Sequence, residues 1–311
     1  MKPTPLTRRH ALRTLAGLGS YLTLRHSVRA ADSSASAAAA GTVTLGGDLK
    51  VNRLGFGAMR ITGPGIWGEP ADREAAHQVL RRALALGVNF IDTADAYGPE
   101  VSERLIAEAL YPYPRGLVIA TKGGLVRPGA GSWTPDGRPE HLRAACEASL
   151  KRLRRERIDL YQLHRIDPKV PLEESVGELA RLRSAGKIRH VGVSNFSVDE
   201  LARARRIVPI VSVQNRYNVA DRSSQDVLDV CTRERLVFIP WAPLARGHTG
   251  QGLGTVAAQK GVSELQLAIA WLLAQSPMML PIPGTSSVAH LEEDVAAAAV
   301  RLTPTELAAV G

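Results

Sequence analysis

Four side chains of complementary chemistry lie where three short apolar segments of the sequence end. The carboxyl group of Asp92 and the phenol of Tyr97 lie at and just beyond the end of one segment. The ammonium of Lys122 follows the next segment, and the imidazole of His164 follows the third. Each residue alone has an ordinary structural explanation, such as capping a turn or packing. Together they are the kinds of group that acid–base catalysis uses, so their convergence predicts a catalytic site.

The elements that must position these residues are a repeated alternation of apolar segments and amphipathic helices, preceded by a short hairpin over residues 43–51. The eight apolar segments are short and continuous, which is typical of strands buried on both faces. They cover residues 54–58, 89–93, 117–121, 158–163, 190–194, 210–214, 237–241 and 280–283. This pattern predicts one α/β domain over residues 42–311, a (β/α)8 TIM barrel with an N-terminal β-hairpin; a doubly wound sheet is the alternative. Functional groups of such barrels lie at the C-terminal ends of strands, where the four residues stand.

Residues 1–30 have the organisation of an export signal. The pair Arg8-Arg9 precedes an uncharged, moderately apolar run over residues 14–24, and Val28-Arg29-Ala30 suits cleavage. This order resembles a twin-arginine signal peptide, which predicts cleavage after Ala30 and a periplasmic or exported protein; a basic tail on a cytoplasmic protein is the alternative. The apolar run is too short to span a membrane. The Ala- and Ser-rich residues 31–41 predict a flexible linker.

The positive charge of the chain is concentrated in this leader. The formal net charge is +9, but residues 1–30 hold six of the 39 basic side chains and none of the 30 acidic ones, so residues 31–311 carry only +3. That balance does not favour a nucleic-acid partner. The two cysteines, Cys146 and Cys231, lie in helical patterns without metal-ligand spacing, so we expect buried thiols rather than a disulfide or a metal site. We also expect a monomer.

Three collinear motifs resemble those of the aldo-keto reductases. They are the run 87–94 with Tyr97-Gly98, the run 149–153 followed by 158–161, and the run 192–196. The resemblance implies that a nicotinamide cofactor reduces an aldehyde or ketone, with Tyr97 as the general acid. Hydride transfer to a carbonyl leaves an alkoxide, so a proton must reach the oxygen. The resemblance further implies that Lys122 makes the phenol more acidic, that Asp92 holds Lys122 charged and that His164 orients the carbonyl oxygen.

The same resemblance implies where the cofactor binds. Trp241 would stack on the nicotinamide, and Ser194, Asn195 and Gln214 would hold its carboxamide. Segments after the last two strands would bind the remainder: Pro243, Leu244, Arg246, Gly284, Thr285, Ser286, His290, Glu293 and Asp294. Backbone amides at a helix start, with hydroxyl groups beside them, form an anion site. Many family members have an arginine at the position of His290 and a lysine near Gly284. Both are missing here, and Arg246 or His290 would have to take their place. The resemblance still implies NADP as the cofactor, and NAD is the alternative.

Residues 282–291 resemble the bacterial subgroup that includes pyridoxal reductases, which makes pyridoxal a candidate substrate. The expected partner is therefore a small carbonyl compound. Two other functions stay open: a redox-sensing nicotinamide-binding subunit with slow turnover, and a barrel hydrolase with paired carboxylates, which would leave Lys122 unexplained. The glycine-rich residues 250–254 lack the spacing of a dinucleotide-binding loop, and we expect a mobile loop over the cofactor there.

Overall fold

The computed structural model describes residues 35–243 and 251–310. The predicted leader over residues 1–30, with its cleavage site, lies outside the described residues, as do residues 31–34 of the predicted linker.

A β-hairpin precedes the barrel, as the sequence predicts. Strands β1 (Thr42–Leu45) and β2 (Leu49–Asn52) are antiparallel, with Val43 opposite Val51. Alternate residues of the two strands are buried, so the hairpin has one apolar face. This face packs against residues near the N-terminal ends of barrel strands, including Phe90, Val118 and Val237. The hairpin therefore covers the end of the barrel opposite the predicted site.

The barrel is built around a parallel sheet. The strands after the hairpin are β3 (Phe56–Gly57), β4 (Phe90–Asp92), β5 (Val118–Gly123), β6 (Leu125–Val126), β7 (Thr134–Pro135), β8 (Ile158–Leu163), β9 (Ile188–Ser194), β10 (Ile210–Arg216) and β11 (Val237–Trp241). Strands β6 and β7 form a separate antiparallel pair. The other seven form one sheet in the order β11-β10-β9-β8-β5-β4-β3, and every neighbouring pair is parallel.

Residues 278–283 close the sheet into a barrel. The N–H of Leu280 donates to the carbonyl oxygen of Phe238 in β11 at 2.9 Å. On the other side, the N–H groups of Gly55 and Gly57 donate to the carbonyl oxygens of Pro281 and Pro283 at 2.9 and 3.0 Å. The segment lacks regular strand pairing because its two prolines have no N–H to donate. It nevertheless occupies the eighth strand position, which excludes the open, doubly wound sheet.

Helices follow the strands and pack around the sheet. They are α1 (Arg73–Ala85), α2 (Val101–Leu110), α3 (Pro139–Arg152), α4 (Leu172–Ser184), α5 (Val198–Arg205), α6 (Gln225–Glu234), α7 (Gln251–Lys260), α8 (Glu264–Gln275), α9 (Val288–Ala296) and α10 (Pro304–Val310). Local chemistry sets several boundaries. The Asp72 carboxylate accepts the Ala75 N–H at 2.9 Å at the start of α1, and Ser263 forms a capping box at the start of α8.

The core lies both inside the barrel and between the sheet and the helices. Inside the barrel, Phe90, Leu160 and Ile239 pack against the apolar face of the hairpin. Outside the sheet, Tyr217 stacks on Trp271 of α8 with ring centroids 5.8 Å apart. The two cysteines are buried, as predicted, and both are free thiols. Among the described residues, no helix has the length and apolarity needed to cross a bilayer.

Two local predictions differ from the structure. Residues 35–41 are not a free linker: Ala37–Ala40 form a 3-10 turn, Ala37 is fully buried, and its N–H donates to the Leu86 carbonyl oxygen at 2.9 Å. Small alanine side chains let this turn pack closely, so ordered structure begins before residue 42. Residues 251–254 are the first turn of α7 rather than a loop. A Cβ at position 252 would overlap the Ala309 carbonyl oxygen, so a glycine is needed there for α7 to pack closely against α10.

Candidate active site

Lys122, Asp92 and Tyr97 meet at the C-terminal ends of β4 and β5. The Lys122 Nζ atom lies 2.6 Å from Asp92 Oδ2, 2.9 Å from the Thr93 carbonyl oxygen and 3.4 Å from the Tyr97 hydroxyl oxygen. The Lys122 side chain is fully buried, and Asp92 and Tyr97 are 2% and 7% exposed. A buried ammonium requires such partners, because desolvation of a lone charge is costly. The structure thus brings three of the predicted catalytic residues into direct contact.

The second carboxylate oxygen of Asp92 accepts hydrogen bonds from two glutamines. Gln162 Nε2 donates to Asp92 Oδ1 at 3.1 Å, and Gln214 Nε2 donates to the same atom at 2.8 Å. Both amides are buried, so Asp92 is held from both sides and its orientation toward Lys122 is fixed. Gln214 was predicted to hold the nicotinamide carboxamide; its amide nitrogen binds Asp92, and its role toward the cofactor stays a prediction.

Gln162 was not predicted from the sequence. The sequence signal for Gln162 was only its polar amide near the end of a largely apolar strand, two positions before His164 and thus on the same face. In the sheet it lies directly opposite Lys122 of β5. Its Oε1 atom is buried without a hydrogen-bond partner among the described residues.

A turn between β4 and α2 carries Tyr97. The Tyr97 N–H donates to the Ala94 carbonyl oxygen at 3.2 Å, and the Ser102 N–H donates to the Tyr97 carbonyl oxygen at 3.1 Å. Gly98 has a φ of 97°, and a Cβ there would overlap the Val101 side chain. A glycine is therefore required directly after Tyr97.

For both Tyr97 and Lys122, burial shifts the pKa in one direction and the neighbouring charged partner shifts it in the other. Burial raises the pKa of Tyr97 overall, although Lys122 acts to lower it. The expected net lowering is thus not found, because loss of hydration exceeds the effect of the ammonium. For Lys122, burial lowers the pKa, but Asp92 and Tyr97 outweigh this and raise it. At neutral pH the site therefore holds a protonated phenol beside a charged ammonium.

His164 faces Tyr97 from just beyond the end of β8. The two rings meet edge to face, with centroids 5.9 Å apart. Burial lowers the pKa of His164 well below its ordinary value, and Lys122 and Arg165 act in the same direction. The imidazole is thus neutral, and its Nδ1 has no hydrogen-bond partner in the part of the chain that the structure describes. A neutral imidazole can donate one hydrogen bond to a carbonyl oxygen.

Ser194, Asn195 and Trp241 form a connected group beside His164. Asn195 Nδ2 donates to the His164 carbonyl oxygen at 3.2 Å and to Ser194 Oγ at 3.0 Å. Trp241 Nε1 donates to Asn195 Oδ1 at 3.0 Å. The structure therefore brings together three of the residues predicted to hold the nicotinamide.

The segment at the start of α9 presents hydroxyl groups and backbone amides. Thr285 Oγ1 accepts the Ser287 N–H at 3.0 Å, and Ser287 caps the helix by accepting the His290 N–H. Ser286 and His290 are exposed. Because the N-terminal end of a helix attracts anions, this segment has the features of the predicted phosphate site.

The remaining residues predicted to bind the cofactor have varied surroundings. Gly284 packs against the Gly57 backbone, where a Cβ would overlap the Gly57 carbonyl oxygen. Asp294 is buried in α9, which raises its pKa to about 7, and Glu293 is half-buried. Pro243 is buried at the end of the described segment. Leu244 and Arg246 lie outside the described residues.

Comparisons with known proteins agree with this architecture. The profile of the Aldo/keto reductase family matches residues 53–251 and 248–311. An uncharacterized oxidoreductase of Schizosaccharomyces pombe is 52% identical over 277 residues, covering 88% of this chain and 90% of its own. Pyridoxine 4-dehydrogenase of Escherichia coli is 44% identical over 271 residues, covering 84% of this chain and 94% of its own.

A solved structure shows the same fold with a cofactor. An aldo/keto reductase of Klebsiella pneumoniae in complex with NADP and acetate superimposes with a TM-score of 0.74 at 28% identity, covering 86% of this chain and 93% of its own. The chain belongs to the Aldo/keto reductase family. It is therefore an oxidoreductase with an α/β TIM-barrel fold, in a family whose members bind a nicotinamide cofactor.

Proposed function

We propose that this chain reduces an aldehyde or ketone to an alcohol with NADPH, and that Tyr97 donates the proton. The observation that carries the proposal is the buried contact of Lys122 Nζ with both Asp92 and the Tyr97 hydroxyl. This arrangement places a protonated phenol, a fixed cation and a neutral imidazole together at the C-terminal ends of β4, β5 and β8. These groups supply the proton and the charge stabilisation that carbonyl reduction requires.

The residues around Asp92, Tyr97, Lys122 and His164 fit a nicotinamide cofactor. Asn195 is held between Ser194 and Trp241, so an amide group and an indole are already positioned beside His164. The exposed Ser286 and His290 at the start of α9 suit a phosphate. Trp241, Ser194 and Asn195 would hold the nicotinamide end. When bound, the reduced nicotinamide supplies a hydride to the carbonyl carbon.

Within this proposal, the residues of the chain handle the proton and the developing charge. His164 donates a hydrogen bond that positions the carbonyl oxygen. As negative charge grows on that oxygen, the proton of the Tyr97 hydroxyl passes to it. Lys122 stabilises the phenolate that remains, and Asp92 keeps Lys122 in place.

Pyridoxal is the substrate that we propose to test first. The support is the 44% identity to pyridoxine 4-dehydrogenase of Escherichia coli together with the sequence of residues 282–291. NADP is proposed over NAD, with support from the NADP complex of the Klebsiella pneumoniae relative.

The test is oxidation of NADPH and of NADH by the purified chain over a panel of pyridoxal and other small aldehydes and ketones. We expect NADPH oxidation with at least one carbonyl and a lower kcat/KM with NADH. A preference for NADH would contradict the cofactor assignment. Tight NADPH binding with negligible turnover across the panel would contradict the enzyme and support the redox-sensing alternative.

We also propose that residues 1–30 direct export by the twin-arginine route and are removed. The support is the sequence alone: the Arg8-Arg9 pair, the weakly apolar run and the small residues before position 31. Cell fractionation with N-terminal sequencing tests this proposal. We expect a periplasmic form that begins near residue 31, whereas a form that retains Met1 and is wholly cytoplasmic would contradict it.

A further inference from the structure

Arg127 is a buried cation that joins three segments of the chain beside Tyr97. Its side chain directly follows β6 and is 8% exposed. Arg127 Nη1 donates to the carbonyl oxygens of Ile66 and Ala96, at 2.9 and 3.2 Å, and Nε donates to that of Ser132 at 2.8 Å. These acceptors belong to the loop before α1, the turn that carries Tyr97 and the loop between β6 and β7. One guanidinium group thus fixes three loops at once.

The same guanidinium lies over two indole rings. Its Cζ atom is 3.6 Å from the ring centroid of Trp133 and 5.4 Å from that of Trp67. Trp133 meets Tyr97 edge to face, with centroids 6.4 Å apart. Trp67 pairs through its backbone with Gly98, the residue after Tyr97. Arg127 therefore gathers two of the four tryptophans of the chain next to the proposed acid.

No carboxylate compensates the charge of Arg127 in the described part of the chain. Burial is the one cause that lowers its pKa. A buried cation is unfavourable unless its donors are satisfied, and here carbonyl oxygens and the electron-rich faces of the indoles satisfy them. Only the planar, five-donor guanidinium can reach all of these groups together, which a lysine ammonium cannot.

Trp133 is the side chain of this arrangement that a substrate can contact. It is 37% exposed although it is large and apolar, and it is held beside Tyr97. A fixed indole offers a flat surface that has already lost its rotational freedom. A flat, conjugated carbonyl compound gains ring contacts there, whereas a flexible aliphatic chain must also be ordered on binding.

We propose that Arg127 is a positioning residue that assembles the wall formed by Trp67 and Trp133, and that this wall selects flat, conjugated carbonyl substrates over aliphatic ones. The inference rests on the proposed function, since it concerns the substrate of that same site. Arg127 acts through Trp133 and through the Ala96 carbonyl, which precedes Tyr97, and does not itself contact the reacting atoms.

The experiment compares benzaldehyde with heptanal, two aldehydes with the same number of carbons, in steady-state assays with NADPH. The wild-type chain should prefer benzaldehyde. Arg127→Ala should lower kcat/KM for benzaldehyde by about 10- to 100-fold, mainly through KM, and affect heptanal less. Arg127→Lys should not restore the preference. Arg157→Met, which changes an exposed arginine before β8, is the matched control and should behave as wild type.

Added guanidinium provides a readout that general loosening of the fold would not give. Guanidinium chloride at roughly tens of millimolar should partly restore the benzaldehyde preference of Arg127→Ala, because guanidinium can occupy the vacated site over the indoles. Sodium chloride should not restore it. Trp133→Leu should lose the preference and show no rescue. If Arg127→Ala does not fold, Arg127→Lys tests the role of Arg127 by the same loss of preference, and Trp133→Leu, at a partly exposed position, tests the wall.

The outcomes separate the two proposals. The role of Arg127 would be overturned if wild type, Arg127→Ala and Trp133→Leu preferred benzaldehyde over heptanal to the same extent and guanidinium had no effect. The proposed reductase activity would then still stand. A wild-type chain that turns over neither aldehyde would overturn the proposed function instead. In that case the affinity for benzaldehyde, measured by quenching of tryptophan fluorescence, still tests Arg127. Equal affinity in wild type and Arg127→Ala would contradict the inference.

Discussion

At the scale of residues, Lys122 and Asp92 form a buried pair in which each charge depends on the other. In the described part of the chain, the polar partners of the Lys122 ammonium are Asp92, the Thr93 carbonyl and Tyr97, and Asp92 has in addition the amides of Gln162 and Gln214. Removal of one partner leaves an uncompensated charge in a site with almost no access to water.

Lys122→Met should therefore destabilise the fold as well as remove activity. We expect the free energy of unfolding to fall by about 3–5 kcal/mol, because the Asp92 carboxylate loses its cation. Urea unfolding followed by circular dichroism measures the change. Lys169→Met, at an exposed position, is the control and should change stability little. The double variant Asp92→Asn/Lys122→Met should lose less than the sum of the single changes; simple additivity would contradict the pairing.

His164 predicts a pH dependence of stability with a definite sign. Burial holds it neutral in the folded chain, whereas the unfolded chain takes up a proton near pH 6.5, its ordinary pKa. The unfolded state thus binds more protons, and the free energy of unfolding should fall below that pH by up to about 1.4 kcal/mol per pH unit. Urea unfolding at pH 7, 6 and 5 gives the slope of the free energy of unfolding against pH, and this slope should be shallower for His164→Gln than for wild type. An unchanged slope would contradict the neutral imidazole; His290→Gln, at an exposed position, is the control.

Sequence reasoning at this scale predicted that the four side chains lie together, but not the residues that support them. Asp92, Tyr97, Lys122 and His164 follow strand patterns that a barrel brings to one rim. Gln162 and Arg127 were missed because their partners come from distant parts of the chain. The net direction of the Tyr97 pKa was also missed, since the sequence shows the neighbouring cation but not the extent of burial.

At the scale of elements, the barrel depends on the close approach of two backbone segments. A Cβ on Gly284 would overlap the Gly57 carbonyl oxygen, and a Cβ on Gly57 would lie 2.7 Å from the Ile282 carbonyl oxygen. This contact lies next to the hydrogen bond from the Gly57 N–H to the Pro283 carbonyl oxygen, which helps to close the barrel.

Gly284→Ala should separate these segments and destabilise the chain. We expect a loss of about 1–3 kcal/mol, the usual cost of overpacking a tight site, and a weaker affinity for the cofactor because α9 begins nearby. Gly177→Ala is the matched control. Gly177 lies inside α4 with open space around its Cα, so alanine there should stabilise by about 0.5–1 kcal/mol. Thermal unfolding compares the two, and equal effects would contradict this account of barrel closure.

The hairpin, the seven paired strands and the helices were predictable from periodicity, because each forms from local pattern and composition. Residues 280–283 were predicted as a strand and occupy that position, but Pro281 and Pro283 prevent regular pairing. Residues 37–40 and 251–254 were predicted wrongly as irregular segments. Alanine and glycine composition does not reveal that another part of the chain packs against them.

At the scale of the whole molecule, the surface predicts a monomer. In the described part of the chain, the exposed large apolar side chains are Tyr111, Trp133 and Leu265. They lie in different elements, and the large contiguous apolar patch that often marks an oligomer interface is not found among the described residues. Light scattering after size-exclusion chromatography should give the mass of one chain, 33.3 kDa for the full sequence. Twice that mass at micromolar concentration would contradict the prediction.

The central claim is that Tyr97 supplies the proton in carbonyl reduction, and Tyr97→Phe tests it most directly. The phenyl ring keeps the edge-to-face contacts with His164 and Trp133 but has no proton to donate. The account predicts that steady-state NADPH oxidation with the best carbonyl falls by about 10²-fold or more, while NADPH affinity and the thermal midpoint stay at wild-type values. Turnover close to that of wild type would contradict the claim.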